Sequence, residues 1–280
     1  MIAACLLLEI NVAGQTPEPG PPQTTTPPIV ERKTTRVIPD VPDAASNSWS
    51  IGGFYWVTGG SATLLAGSQS TDPSIQNLVL PTPKDQTPGF RITTPAGKYN
   101  RIEISGFQTN TNGTTTATQD LNFFGNPFTL GDKLQTNYRI RNVKADWDYL
   151  MYPAPPTSKL RFKALFGFEY IGARATISAP LDTNATTAQG SRNLFLPTLG
   201  VGVDFVANKY IRLELRPSAM AFPHKSYIID GEASIVVSVG HIEVVGGGRY
   251  LHFRTSPNSD QYVRATLTGP SIGIRYTLGK

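Results

Sequence analysis

Pro270-Ser271-Ile272-Gly273-Ile274-Arg275-Tyr276-Thr277-Leu278 stands just before the terminal Gly279-Lys280, and its alternation decides how the rest of the chain is read. Successive side chains of an extended strand point to opposite faces. Ile272, Ile274, Tyr276 and Leu278 therefore project from one side of a strand. The same period recurs upstream. In Tyr210 to Arg216, Ile211, Leu213 and Leu215 oppose Arg212, Glu214 and Arg216; in Leu160 to Tyr170, Leu160, Phe162, Ala164, Phe166, Phe168 and Tyr170 oppose Arg161, Lys163 and Glu169. A soluble sandwich would bury such an apolar face and a membrane barrel would turn it to lipid, so alternation alone fits both. Length separates them. The alternating segments exceed the usual five or six residues of a soluble strand and match the roughly 9 to 11 needed to cross a bilayer at a tilt.

The spacing polar-x-Gly-x-x-aromatic-x-hydrophobic of Ser271, Gly273, Tyr276 and Leu278 resembles the C-terminal assembly signal of bacterial outer-membrane β-barrels, differing in that Gly279 and Lys280 follow. Pro95 to Asn100 and Trp147 to Pro153 are similar to segments of uncharacterised members of that group, and the general resemblance covers roughly residues 48 to 280. It implies an all-β, antiparallel transmembrane β-barrel. Its implied partners are outer-membrane lipid and the outer-membrane assembly machinery, and it identifies no substrate.

Composition agrees with strands. The 280 residues are 39% hydrophobic, with a mean hydropathy of −0.18, and no run approaches the roughly 20 apolar residues of a spanning helix. A barrel escapes that test because only alternate residues meet lipid. The net charge of +5 is spread among acidic residues without a basic run, so nucleic acid is not an expected partner.

Three regions are expected. Residues 1–14 read as a residual signal peptide, apolar from Ala3 to Leu8 with a small-residue cleavage pattern at Val12-Ala13-Gly14, although Glu9 interrupts it and no basic start precedes it. An acylation box at Ile2 to Cys5 is the other reading. Residues 15–46, with eight prolines from Pro17 to Pro42, read as an extended periplasmic tether that lacks the apolar periodicity to pack on a core. Residues 47–280 read as the barrel. Its ten expected strands begin at Ser48, Phe90, Tyr99, Leu134, Lys159, Leu194, Tyr210, Tyr227, Ile242 and Tyr262; eight strands are the smaller alternative. An even count places both termini on the periplasmic side of a bacterial outer membrane, with long loops outside and short turns inside. In Leu134 to Tyr152 the outward parity of Tyr138 and Ile140 conflicts with that of Val143, Ala145, Trp147 and Tyr149, and a β-bulge near Arg141 and Asn142 would reconcile them.

Two sets of residues follow from the faces. Arg161, Lys163, Glu169, Asp204, Arg212, Glu214, Arg216, Glu243 and Arg275 carry both signs and would fill the narrow interior of a ten-stranded barrel as a paired network. Trp49, Tyr55, Trp56, Trp147, Tyr149, Tyr152, Tyr210 and Tyr262, with Tyr276, gather near strand ends, where an aromatic girdle meets the lipid interface. No catalytic residue, cofactor or metal is expected. His241 and His252 fall near opposite ends of one strand, too far apart to share a metal, and His224 is read as a loop histidine. Gly246-Gly247-Gly248 lies in a strand with no following helix, so close packing or barrel curvature explains it better than phosphate binding. The expected role is structural, binding or a narrow channel, with a possible periplasmic or surface protein partner; a secreted soluble β-sandwich acting as an adhesin or carbohydrate-binding module is the rival.

Overall fold

The computed structural model describes residues 48–66, 76–97, 99–151, 159–181, 187–222, 226–255 and 261–278. The expectations for the signal remnant, the tether, Tyr152 and His224 fall outside those residues. In chain order the strands are β1 (Trp49–Ala66), β2 (Gln76–Pro95), β3 (Asn100–Thr116), β4 (Leu121–Phe123), β5 (Asn126–Phe128), β6 (Lys133–Met151), β7 (Leu160–Ser178), β8 (Thr187–Val206), β9 (Ile211–Phe222), β10 (Ser226–Val239), β11 (Ile242–Arg254) and β12 (Gln261–Leu278). Ten of them close into one antiparallel barrel in the order β1-β12-β11-β10-β9-β8-β7-β6-β3-β2, and β4 and β5 form a separate hairpin. A single closed sheet replaces the two-sheet sandwich of the rival reading.

Closure is made by the first and last strands, with Trp49 opposite Leu278, Ile51 opposite Tyr276 and Phe54 opposite Gly273. In the terminal half of the wall each of the ten strands is paired on both sides, so the backbone groups there are satisfied within it, which an open sheet in lipid cannot achieve, while towards the loops the β2–β3 ladder ends at Gly89 and Phe107. The chain reverses tightly between β2 and β3, where the Ala96 amide donates to the Asn100 carbonyl at 2.9 Å, at 207–210 and at 240–241, all at the end where β1 begins and β12 ends. The β4–β5 hairpin lies at the other end.

Strand β6 shows the organising feature. From Lys133 to Met151 it alternates buried and exposed without interruption. Its inward residues are first apolar or neutral, Leu134, Thr136, Tyr138 and Ile140, and then polar, Asn142, Lys144, Asp146 and Asp148. Its outward residues change at the same level from Gln135, Asn137, Arg139 and Arg141 to Val143, Ala145, Trp147, Tyr149 and Met151. The neighbouring strand repeats the exchange: β7 turns Phe166, Phe168 and Tyr170 outward before Arg174 and Thr176, and places Lys163 and Glu169 inward before Ile171, Ala175 and Ile177. The barrel is thus two zones stacked along its axis. Towards the termini it is apolar outside and charged inside; towards the loops it is polar outside and apolar inside.

That exchange removes the bulge expected at Arg141 and Asn142. The registers of β6 with β3 and β7 run unbroken through both residues; the parity conflict came from assigning one polarity to one face along the whole strand. The irregularity instead lies between β1 and β2, between Thr58 and Gly60. Gly60 has φ +139, and a Cβ there would lie 2.0 Å from the Thr266 carbonyl oxygen, so a bulge with this backbone requires glycine. The strands also extend further than expected. β1 and β2 occupy residues 59–66 and 76–89 of the loop expected between them, and β3 and β8 extend into the Thr- and Asn-rich segments, since polar outward residues have the composition of a loop although their backbone belongs to the ladder.

Candidate functional site

The lower zone encloses nine basic side chains, Arg91, Arg101, Lys144, Arg161, Lys163, Arg212, Arg216, Arg249 and Arg275, and nine acidic ones, Glu103, Asp146, Asp148, Glu169, Asp204, Glu214, Asp230, Glu232 and Glu243. Alternation places them there. Each stands on the inward parity of a strand whose outward neighbours are apolar, as Glu103 does between Ile102 and Ile104, and Asp148 between Trp147 and Tyr149. Charges removed from water must be paired, and equal numbers of the two signs allow it.

The pairing runs across the lumen as well as along the wall. Arg91 on β2 donates through Nη1 to Glu232 Oε1 on β10 at 3.1 Å, and Lys144 on β6 reaches Asp230 on β10 at 2.9 Å; each pair joins strands four steps apart around a ten-stranded wall. Arg216 on β9 makes two bonds to Asp148 on β6, from Nη1 to Oδ2 at 2.7 Å and from Nη2 to Oδ1 at 3.1 Å, a bidentate arrangement that fixes both groups. Asp148 also accepts from Arg101 at 2.7 Å, and Glu103 lies 3.2 Å from Arg91 and 3.5 Å from Arg216. Nearer the short turns, Arg212 and Arg275 share Glu214 and Glu243, with Arg212 2.7 Å from Glu214 and Arg275 3.1 Å from Glu243. Lys163 pairs with Asp204, and Asn142 donates to Glu169 at 2.5 Å. A cavity of about 30 Å³ remains beside Arg91, Glu232 and Arg249, room for roughly one water.

Arg249 forms the joint between the zones. Its guanidinium lies 4.9 Å from the Phe54 ring, 5.3 Å from Trp56 and 5.5 Å from Phe107, while Glu232 is 3.9 Å away on the charged side. A flat, weakly hydrated cation is suited to such a boundary because it can meet ring faces and a carboxylate together. Above it the interior is a packed apolar cluster. Leu64, Leu80, Phe107, Ile140, Ile177 and Phe253 belong to it, and the β4–β5 hairpin adds Leu121, Phe123 and Phe128.

All nine charged residues expected from the sequence lie in the lumen. The other nine escaped notice, although Asp146 and Asp148 alternate with Ala145, Trp147 and Tyr149 in the expected way; the supposed bulge obscured that parity. Of the aromatic residues, Trp49, Tyr55, Trp147, Tyr149, Tyr210 and Tyr276 are exposed on the outer wall. Trp56 is a correction. It is fully buried in the lumen, packs edge-on to Phe107 at 5.1 Å and donates from Nε1 to the Gly269 carbonyl at 3.2 Å, because its even parity on β1 faces inward. Tyr262 is likewise buried, covered by the Arg254 guanidinium 4.5 Å from its ring. Outward-facing Tyr170, Tyr227 and Tyr250, near the level where the apolar wall ends, were not singled out.

Ile272, Ile274, Tyr276 and Leu278 project together from the outer face of β12, while Arg275 and Thr277 are buried; Ser271 and Gly273 pair with Trp56 and Phe54 of β1. His241 Nδ1 lies 3.1 Å from the Thr277 carbonyl. His252 sits between the Tyr227 hydroxyl at 2.8 Å and the Thr266 hydroxyl at 2.7 Å. Gly247 occupies a close approach of strands, where a Cβ would lie 2.2 Å from the Ala233 carbonyl oxygen.

No protein-family model matches the sequence, and no curated protein matches it. Solved structures with a similar course of chain include the translocator domain of the autotransporter NalP from Neisseria meningitidis, 10% identical over 82% of this chain and 88% of that one with a TM-score of 0.43. The outer membrane protein OprG from Pseudomonas aeruginosa is 15% identical over 84% and 97%, with a TM-score of 0.36. Ail, the attachment invasion locus protein of Yersinia pestis, is 9% identical over 82% and 99%, with a TM-score of 0.34. The closed barrel itself is established by the strand pairing.

Proposed function

We propose that the protein is an integral barrel of a bacterial outer membrane that holds a polar barrel extension and its loops outside the lipid, as a non-enzymatic binding or structural surface. The observation that carries this reading is the exchange of inside and outside polarity between Arg141 and Val143. A wall without outward charge over the lower zone, such as the 11 residues Leu160 to Tyr170 on β7, suits hydrocarbon; strands that turn Asn, Gln, Thr and Arg outward above it, around an apolar core, suit water. Tight turns at the terminal end and the hairpin at the other support an orientation with the termini in the periplasm and the extension outside. The exposed tyrosines and tryptophans serve as interfacial anchors, Tyr276 and Leu278 as the assembly signal, and residues 15–46 as a tether to a periplasmic or surface partner.

The lumen is closed twice, by the charge network within the belt and by the apolar cluster above it, and this supports presentation rather than passage. Planar bilayers containing the purified full-length chain test it. Little or no steady conductance is the expected result, whereas large, stable, porin-like steps would make the protein a channel.

A further inference from the structure

Just above the apolar belt, the outer wall of β6 and β7 carries three arginines. Arg139 and Arg174 are direct partners in the β6–β7 register, and Arg141 stands two residues along the same face as Arg139. Like charges directly opposite on neighbouring strands are destabilising by themselves. Two of the Nε atoms are nevertheless held by neutral amides of the adjoining strand, Arg139 donating to Asn110 Oδ1 at 2.8 Å and Arg141 to Gln108 Oε1 at 2.7 Å, and the Gln189 amide, turned so that its oxygen faces the guanidinium, accepts from Arg174 Nε at 2.9 Å. Among the described residues none of the three makes an ion pair. Neutral acceptors fix the side chains and leave the full positive charge on an exposed wall, an arrangement matched to planar, multidentate recognition of phosphate oxygens.

The level of the cluster identifies the source of the phosphate. Arg141 is the outward residue next to Val143, where the apolar run of β6 begins, so its guanidinium stands at headgroup height if the lower zone is in lipid. A second opposed arginine pair, without amide acceptors among the described residues and with one guanidinium over the Tyr262 ring, stands across the barrel. Arg254 and Arg264 are direct partners of β11 and β12, five strands from β6 and β7 in the ring, and lie beyond Tyr250 on the outer wall.

We propose that Arg139, Arg141 and Arg174 form a binding site for the phosphate groups of lipid headgroups in the outer leaflet, an inference that rests on the membrane reading above. The test reconstitutes the full-length protein in phosphatidylcholine nanodiscs and titrates a bis-phosphorylated disaccharide glycolipid, with its dephosphorylated form and inorganic pyrophosphate as separate arms and native mass spectrometry as the readout. The phosphorylated lipid should be retained by the wild type about tenfold better than by Arg139→Gln/Arg174→Gln or by Arg141→Gln, as expected for losing charge-assisted bonds. The dephosphorylated lipid should be held weakly and equally by all. Equal retention of the two lipids by the wild type, unchanged retention by both variants, or pyrophosphate binding as tightly as the lipid would overturn the assignment while leaving the membrane reading intact. Failure of the wild type to insert into nanodiscs would overturn both.

Discussion

Arg91 and Glu232 face each other across the lumen, from strands four steps apart in the closed wall, with Nη1 donating to Oε1 at 3.1 Å and Nη2 engaging the other carboxylate oxygen. A bond of this kind ties opposite walls together, so it braces the barrel in a way that backbone pairing between neighbours cannot. Removing one partner leaves the other charged and buried. Arg91→Ala is therefore expected to lower unfolding stability by about 3 to 5 kcal/mol, and the double variant with Glu232→Ala to lose less than the sum of the singles. Denaturant titrations of the four proteins in one detergent measure the coupling; strict additivity would show that the pair does not act as a unit.

Arg212 and Arg216 share the inward face of β9, the first holding Glu214 and the second Asp148. Replacing both with alanine leaves several carboxylates short of cations and admits water. Conductance in planar bilayers should rise above that of the wild type. Unchanged silence would place the barrier in the apolar cluster above the network.

The two zones predict opposite responses to the same kind of change. Ile140→Ala, inside the upper zone where the side chain is 1% exposed, should cost about 2 to 5 kcal/mol through the cavity it leaves. Leu215→Arg, on the outer wall of the lower zone where leucine is 49% exposed, should cost about 2 to 4 kcal/mol because an arginine there meets hydrocarbon. In a water-soluble barrel the second substitution would be almost silent, so equilibrium unfolding in a bilayer system checks both.

Ten strands were legible from the sequence because each lower-zone segment alternates with a period of two, and the strand starting at Ile211 could be read to its inward arginines. Its upper counterpart was not. Thr, Asn and Gly in 109–116 and 187–193 have the composition of loops, and nothing local shows that their backbone continues a ladder; only pairing with distant strands fixes it. Trp56 was misplaced for a related reason. Its neighbours Tyr55 and Val57 do face outward, and an aromatic pair at one strand level hides which member has which parity. The inward charges Arg91, Arg101 and Glu103 of β2 and β3 were missed because Phe90 to Thr94 and Tyr99 to Gln108 were read only as a hairpin, without a polarity assigned to either face.

The terminal strand offers a test in cells. Tyr276→Asp with Leu278→Asp places carboxylates on the outer wall of the strand that closes the barrel against β1, and membrane assembly should fail, with unfolded chain left in the periplasm. Normal surface levels of the double variant would remove Tyr276 and Leu278 from any role in assembly.

The central claim is that lipid ends between Arg141 and Val143, and two single-cysteine variants made in a Cys5→Ser background measure it directly. Ala145→Cys and Asn137→Cys both face outward from β6, on either side of that boundary. With a fluorophore on each and the protein in lipid vesicles, the label at position 145 should be quenched by a lipid-borne quencher and shielded from an aqueous one, and the label at position 137 should show the reverse. Equal access of both labels to the aqueous quencher would contradict the membrane belt, and equal quenching from lipid would contradict the extension.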